Sequence, residues 1–225
     1  MTTKRKSQVP EIKPGNIYAA PILDNEFVFF RVMLSVSEQC YETGKVTTGS
    51  EFDLFENTSL IEIYRETATS PVLPAATSVL IKGIFCSFRG FVANGTWSLV
   101  GHAAVQPEDV YFPGFLMGQG AFTGVFVRGE VAIEFPMDLN DVEAVGITPG
   151  TFPAAGIDAL YLKNAGRDAD IPAKYLSTDR FLMSKRDIYL SPHLDGLVKK
   201  VGTDILLPYA ELSQKHGFDF RRFYP

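Results

Sequence analysis

The sequence predicts an α+β protein: a mainly antiparallel, strongly twisted β-sheet or partial barrel in the N-terminal part, and short helices in the C-terminal part. Three observations predict it. Apolar runs of period 2, separated by tight-turn residues, fill the chain to about residue 135. Capped segments with 3.6-residue apolar spacing appear only beyond about residue 153. The 19 Gly and 14 Pro are spread along the chain, which favours short strands and turns over a helical bundle.

Residues 1–11 read as a disordered basic N-terminus. MTTKRK is charged, and no apolar run follows it to make a signal peptide. Pro14-Gly15 fits the centre of a type II turn, with an extended segment at 17–22 after it. Asp24-Asn25 is a tight-turn pair, because both residues tolerate left-handed dihedrals. Residues 27–34 then return as the second strand of a hairpin. That strand is apolar on both faces except at Arg31, as a central strand should be. Residues 35–58 are polar, contain Gly44 and Gly49, and read as a loop or irregular excursion. Residues 59–64 alternate, with Leu60, Glu62 and Tyr64 facing one way and Ile61 and Ile63 the other. Residues 79–88 form a β run in which Gly83 signals a bulge or a close backbone approach.

Asn94-Gly95 is the strongest hairpin signal in the chain and is expected to join that run to a strand at 96–105. Residues 106–122 form a structured turn region, too apolar to stay solvated. Two more short strands are expected within 123–135, around Arg128-Gly129. These elements make a β domain at 12–136. Residues 137–225 are a mixed C-terminal part whose helices pack on it. A helix is expected at 153–164, with Ile157, Leu160 and Tyr161 on one face and Gly166 past its end. Ser191-Pro192 starts a second, in which Leu194, Leu197, Val198 and Val201 follow helical spacing before Gly202. A third covers 208–216 and stops at Gly217.

Composition narrows the function classes. Apolar residues make up 46% and charged residues 21%, ordinary globular usage in a chain long enough to bury its own core. No run approaches the ~20 apolar residues of a membrane span. The net charge of −5 disfavours nucleic acid and suits a basic partner. Cys40 and Cys86 lack CxxC spacing and read as reduced residues of a cytoplasmic protein. GQGAF at 118–122 mimics a phosphate loop but has no Lys. The three His, at 102, 193 and 216, are far apart, so no metal site is expected.

The stretch GTWSLVGHAAV at 95–105 holds the only Trp. In the expected strand Trp97, Leu99, Gly101 and Ala103 share one face, and Ser98, Val100, His102 and Ala104 the other. Trp97 is the structural anchor. His102 has no Ser, Cys or acid beside it, and a reactive role would need a partner from elsewhere. Glu108-Asp109, and the group Asp138, Asp141 and Glu143, stand at strand ends. They are either solvated turns or an acidic surface that meets a basic partner. Phe112 and Phe115 are the aromatic anchors of that surface if they are exposed. The end of the chain, GFDFRRFYP, either stacks on bases or folds back with its aromatics buried and Arg221 or Arg222 paired to acids.

Three pieces together carry a resemblance: KPGNIYAAPILDNEFVFFRV at 13–32, SLIEIY at 59–64 and GTWSLVGHAAVQPEDVYFPGF at 95–115. They resemble immunity protein 26, a family found beside bacterial polymorphic toxins. The resemblance covers about residues 11–130; the insertion at 35–58 and the residues after 137 lie outside it. It implies a small, strongly curved, SH3-like β domain that binds a toxin domain one to one and neutralises it. It implies no cofactor and no catalytic residues, and it makes Trp97 and Gly101 scaffold positions. The toxin-binding candidates are then Glu108, Asp109, Phe112, Phe115, Asp138, Asp141 and Glu143. The residues alone leave a second reading open: a small-molecule-binding or hydrolytic β-barrel protein with a pocket near His102, closed by segment 107–120.

Overall fold

The computed structural model describes residues 12–119, 122–137, 147, 150–175 and 177–224. Its strands are β1 (Asn16–Leu23), β2 (Glu26–Ser35), β3 (Ser59–Ala68), β4 (Val79–Ser87), β5 (Ser98–His102), β6 (Phe115–Gly118), β7 (Thr123–Arg128), β8 (Val131–Pro136) and β9 (Phe152–Pro153). Its α-helices are α1 (Arg89–Ala93), α2 (Ile157–Asn164), α3 (Leu194–Val201) and α4 (Tyr209–Lys215). The fold is α+β and mainly antiparallel. Six strands form a sheet in the order β5-β1-β2-β3-β4-β9, and three form a second sheet, β6-β7-β8. Only β9 runs parallel to its neighbour. The large sheet is open, with β5 and β9 as its edges, so it does not close into a barrel.

The first hairpin forms where the turn residues place it. Gly15 takes φ 87° in the turn before β1, and Asn25 takes φ 57° between β1 and β2. β2 is central, and the pleat sends its side chains both ways. Val28, Phe30 and Val32 enter an apolar cluster with Tyr18, Ile61 and Ile63, covered by Trp97 and by the buried face of α2. On the other face, Phe29 joins a small cluster with Ile17, Ala19 and Tyr64. Met33 and Leu34 enter the largest core, shared with the second sheet and with Leu197 of α3 and Leu212 of α4. Gly83 is a close approach: a Cβ there would stand 2.2 Å from the Tyr111 carbonyl oxygen.

Helix α2 ends in a Schellman motif. Gly166 takes φ 74°, its amide donates to the Lys163 carbonyl (3.3 Å), and the Arg167 amide donates to the Leu162 carbonyl (2.9 Å). Helix α4 stops the same way at Gly217, where the Phe218 amide reaches the Ser213 carbonyl (2.8 Å). The Ser191 hydroxyl accepts the His193 amide (3.3 Å) just before α3. The N-terminal turn of the expected 153–164 helix is instead the short strand β9 and a 3-10 turn.

Two further expectations are corrected and a third is narrowed. Asn94-Gly95 does not turn a hairpin: β4 runs into α1, and β5 pairs with β1. Gly95 ends that helix at φ 77°, its amide donating to the Val92 carbonyl (3.1 Å). The dipeptide supplies a positive φ, which a helix terminus uses as readily as a hairpin. Of the two forms expected for 35–58, the segment takes the irregular excursion and not an open loop. A π-helical turn (Val36–Tyr41) and a 3-10 helix (Glu51–Phe55) bury Val36, Cys40, Phe52 and Phe55, and Phe55 stacks on Phe85 at 3.8 Å. These apolar residues are too widely spaced to make a periodic signal. Finally, Trp97 and Leu99 do not share a face. The Trp97 amide is tied to the Phe91 carbonyl (3.0 Å), so Trp97 belongs to the turn leaving α1 and is 3% exposed, while Leu99 is 58% exposed.

Candidate functional site

Arg31 and Glu62 face each other in the β2–β3 register. Their place on the sheet is specific. On their face, Phe29 and Tyr64 belong to the small apolar cluster at one side, and Met33 and Leu60 to the large core at the other. The ion pair occupies the polar strip between, where a cleft of about 530 Å³ opens. Arg31 Nε lies 2.8 Å from Glu62 Oε1, and Arg31 Nη1 donates to the Ala104 carbonyl (3.3 Å). Burial pushes the Glu62 carboxyl above the usual carboxylate range, although Arg31 opposes that shift. The negative charge of Asp109 adds a smaller upward push.

The opposite wall is built around Arg128, the last residue of β7. It is buried, and its guanidinium is held by neutral groups. Nε donates to the Phe112 carbonyl (3.1 Å) and Nη1 to the Leu207 carbonyl (2.7 Å). The guanidinium also lies 4.7 Å from the Tyr189 ring, 5.7 Å from Tyr209 and 5.9 Å from Tyr111. The Tyr111 hydroxyl donates to Asp187 (2.5 Å), and burial raises its pKa far above that of a free phenol. Lys82 and Val79 of β4 complete the lining. The cleft alternates cations and carboxylates, an arrangement suited to polar groups of both signs.

Glu108 and Asp109 stand exposed on a 3-10 turn (Pro107–Asp109) at the mouth of this cleft. Glu108 pairs with Arg221 (2.9 Å), and its carboxyl is held below the usual range by a backbone hydrogen bond and by that partner. Asp109 has no ion-pair partner among the described residues. Phe112 and Phe115 are not surface anchors: they are 0% and 4% exposed. Phe112 fits between the rings of Tyr209 (4.2 Å) and Phe220 (5.3 Å) and belongs to the core. Asp138, Asp141 and Glu143 lie outside the described residues. The C-terminal tail folds back: Phe220 and Phe223 are buried, the Tyr224 hydroxyl donates to the Met33 carbonyl (2.7 Å), and Arg222 pairs with Glu130.

His102 is exposed at the end of β5, where its Nδ1 lies 3.3 Å from Asn16 Oδ1. It borders a hollow of about 440 Å³ that also contains Glu38, Val105 and Phe223. Glu38 is engaged by the Ser35 hydroxyl and the Arg89 guanidinium. Both cysteines are buried; the Cys40 thiol is pushed up to about 12, mainly by desolvation, and Cys86 further. Neither is poised as a thiolate. No group of three or more His, Cys, Asp or Glu suited to a metal occurs among the described residues. No described helix is long and apolar enough to cross a membrane.

No family model matches the chain, and neither a curated protein nor a solved structure matches it. In the sequence Arg128 stands out only as a turn residue, and Tyr111 and Asp187 do not stand out. They converge from positions 111, 128 and 187, so no short-range spacing could have signalled them.

Proposed function

We propose that the chain is a cytoplasmic immunity protein that binds a toxin domain one to one and blocks it. The observation that carries the reading is the rim of the charged cleft. There Glu108 and Asp109 are exposed on a short turn, with Val110 and Phe112 buried directly behind them. Acids on a rigid support can steer a basic partner without ordering a loop. Val79, 40% exposed in the same cleft, supplies apolar contact in place of Phe112 and Phe115. The resemblance gains support from topology. The segments at 13–32 and 59–64 and the start of the segment at 95–115 supply the neighbouring strands β5-β1-β2-β3 of one sheet, while the end of the last, Phe115, begins β6 of the other.

The test uses the chain with a toxin domain encoded beside its gene. Co-expression should protect cells, and the purified pair should bind at 1:1. Steering acids act mainly on association. Asp109→Asn should therefore slow association several-fold at low salt and leave dissociation nearly unchanged. Asp109 is the cleaner probe, because neutralising Glu108 also strands Arg221. Association that is insensitive to salt, or equal for wild type and variant, would remove the rim from the interface. Absence of both binding and protection would remove the immunity reading itself.

A further inference from the structure

A second cleft, of about 420 Å³, shares no lining residue with the first. Two 3-10 turns, Asp179–Phe181 and Met183–Lys185, bring Arg180, Lys185 and Arg186 to its wall. Arg186 is fixed in place. Its Nε donates to the Arg180 carbonyl (2.9 Å), and its guanidinium lies 4.6 Å from the Phe152 ring. Arg180 lies over the Phe181 ring at 4.9 Å. Among the described residues no carboxylate pairs with any of the three cations. Asp179 is the one acid on the lining, so three positive charges less one negative leave a local charge of +2. This stands out in a chain of net charge −5, where Arg31, Arg167 and Arg222 each have a carboxylate partner.

We infer that this cleft binds a phosphate-bearing small molecule. A phosphomonoester carries roughly −1.5 to −2 at neutral pH, which matches the lining charge. Two guanidinium forks and an ammonium fit its three terminal oxygens better than they fit one carboxylate. The Nη edge of the Arg186 guanidinium is open to a ligand, because among the described residues only Nε is used in a hydrogen bond. The cleft exceeds a bare phosphate in size. Ile84, Pro113 and Met183 offer an apolar wall to the organic part of an ester. Burial and the neighbouring Arg180 also hold the Arg186 guanidinium below its ordinary pKa, the mark of a cation that an anion would stabilise.

The test is calorimetric titration at low salt with three probes: inorganic phosphate, glycerol 1-phosphate and the dicarboxylate glutarate. Glycerol 1-phosphate should bind several-fold more tightly than phosphate, and glutarate at least tenfold more weakly than either. Arg186→Gln keeps a donor for the Arg180 carbonyl and should weaken the ester at least tenfold. Arg180 and Lys185 are exposed, so Arg180→Gln/Lys185→Gln tests the site even if the Arg186 variant is poorly folded. The ester should raise the thermal midpoint of the wild type and not of that double variant. Ester binding retained in the double variant would overturn the site. Glutarate binding as tightly as the phosphates would overturn the ligand class, and equal affinity for phosphate and ester would overturn the seat for an organic part. The toxin-binding reading stands or falls separately, because its partner assay reads the other cleft.

Discussion

Trp97→Ala is expected to destabilise the protein by about 3–5 kcal/mol, through lost apolar burial and the cavity left behind. The indole packs against three rings at once, with centroids 5.0 Å from Phe30, 5.1 Å from Phe91 and 5.5 Å from Phe88. Phe30 lies on the central strand, Phe88 ends the β4 run and Phe91 sits on α1. Trp97 therefore fastens the α1 excursion to the sheet, and neighbouring rings cannot collapse into its space without moving the backbone. His102→Ala should change stability by no more than about 0.5 kcal/mol, since the ring is exposed and makes one long hydrogen bond. Urea unfolding followed by far-ultraviolet circular dichroism measures both variants, because the only indole is lost in the first. A Trp97 variant within 1 kcal/mol of wild type would show that the ring cluster does not hold the excursion in place.

What could be read along the chain was what the backbone repeats locally. The strand at 59–64 follows from alternation, those within 16–35 and 79–87 from apolar runs bounded by turn residues, and the stops at Gly166 and Gly217 from positive φ. The tail was legible as two alternatives, and burial of Phe220 and Phe223 with Arg221 and Arg222 paired to Glu108 and Glu130 decides for the fold-back. What escaped depends on partners distant in sequence. The Asn94-Gly95 turn satisfies both a hairpin and a helix end, and only the pairing of β5 with β1 decides between them. Phe52 and Phe55 enter the core from an aperiodic segment, because Phe85, Phe112 and Phe115 wait for them across the fold. The rim acids Glu108 and Asp109 were legible as exposed turn residues. The wall behind them was not, because Arg128 earns its place through Tyr189 and Tyr209, far along the chain.

Asp187 carries the other large effect. It is fully buried and accepts three hydrogen bonds: from the Gly114 amide (3.0 Å), the Tyr189 amide (3.1 Å) and the Tyr111 hydroxyl (2.5 Å). The Ile188 amide returns a bond to the Gly114 carbonyl (2.9 Å), so the entry to the second sheet and the C-terminal part are locked together at this point. The lock also orients Tyr111 in the wall of the charged cleft. Asp187→Ala removes the acceptor of three donors, the Gly114 bond buried and the Tyr111 and Tyr189 bonds partly so, and should destabilise by about 3 kcal/mol, at roughly 1–3 kcal/mol for a buried unsatisfied group and less for the other two. Asp187→Asn keeps an oxygen for the two amides and should retain most of the stability. The two variants together separate the lost bonds from the lost charge. Burial raises the Asp187 pKa, and the three hydrogen bonds only partly offset that. The folded state therefore binds the Asp187 proton more tightly than the unfolded chain does. As pH falls from neutral through the folded pKa, the penalty for a buried charge disappears, and wild type gains stability relative to Asp187→Asn. The gain levels off below the unfolded pKa of about 3.9. Glu26 acts in the opposite sense: its hydrogen bond to Arg167 lowers its pKa, and its contribution is lost on acidification. The quantity to measure is thus the difference between wild type and Asp187→Asn in denaturant unfolding from pH 7 to pH 4. A difference that shrinks or reverses against wild type across that range would show that the Asp187 carboxylate is stabilised, not burdened, by its burial.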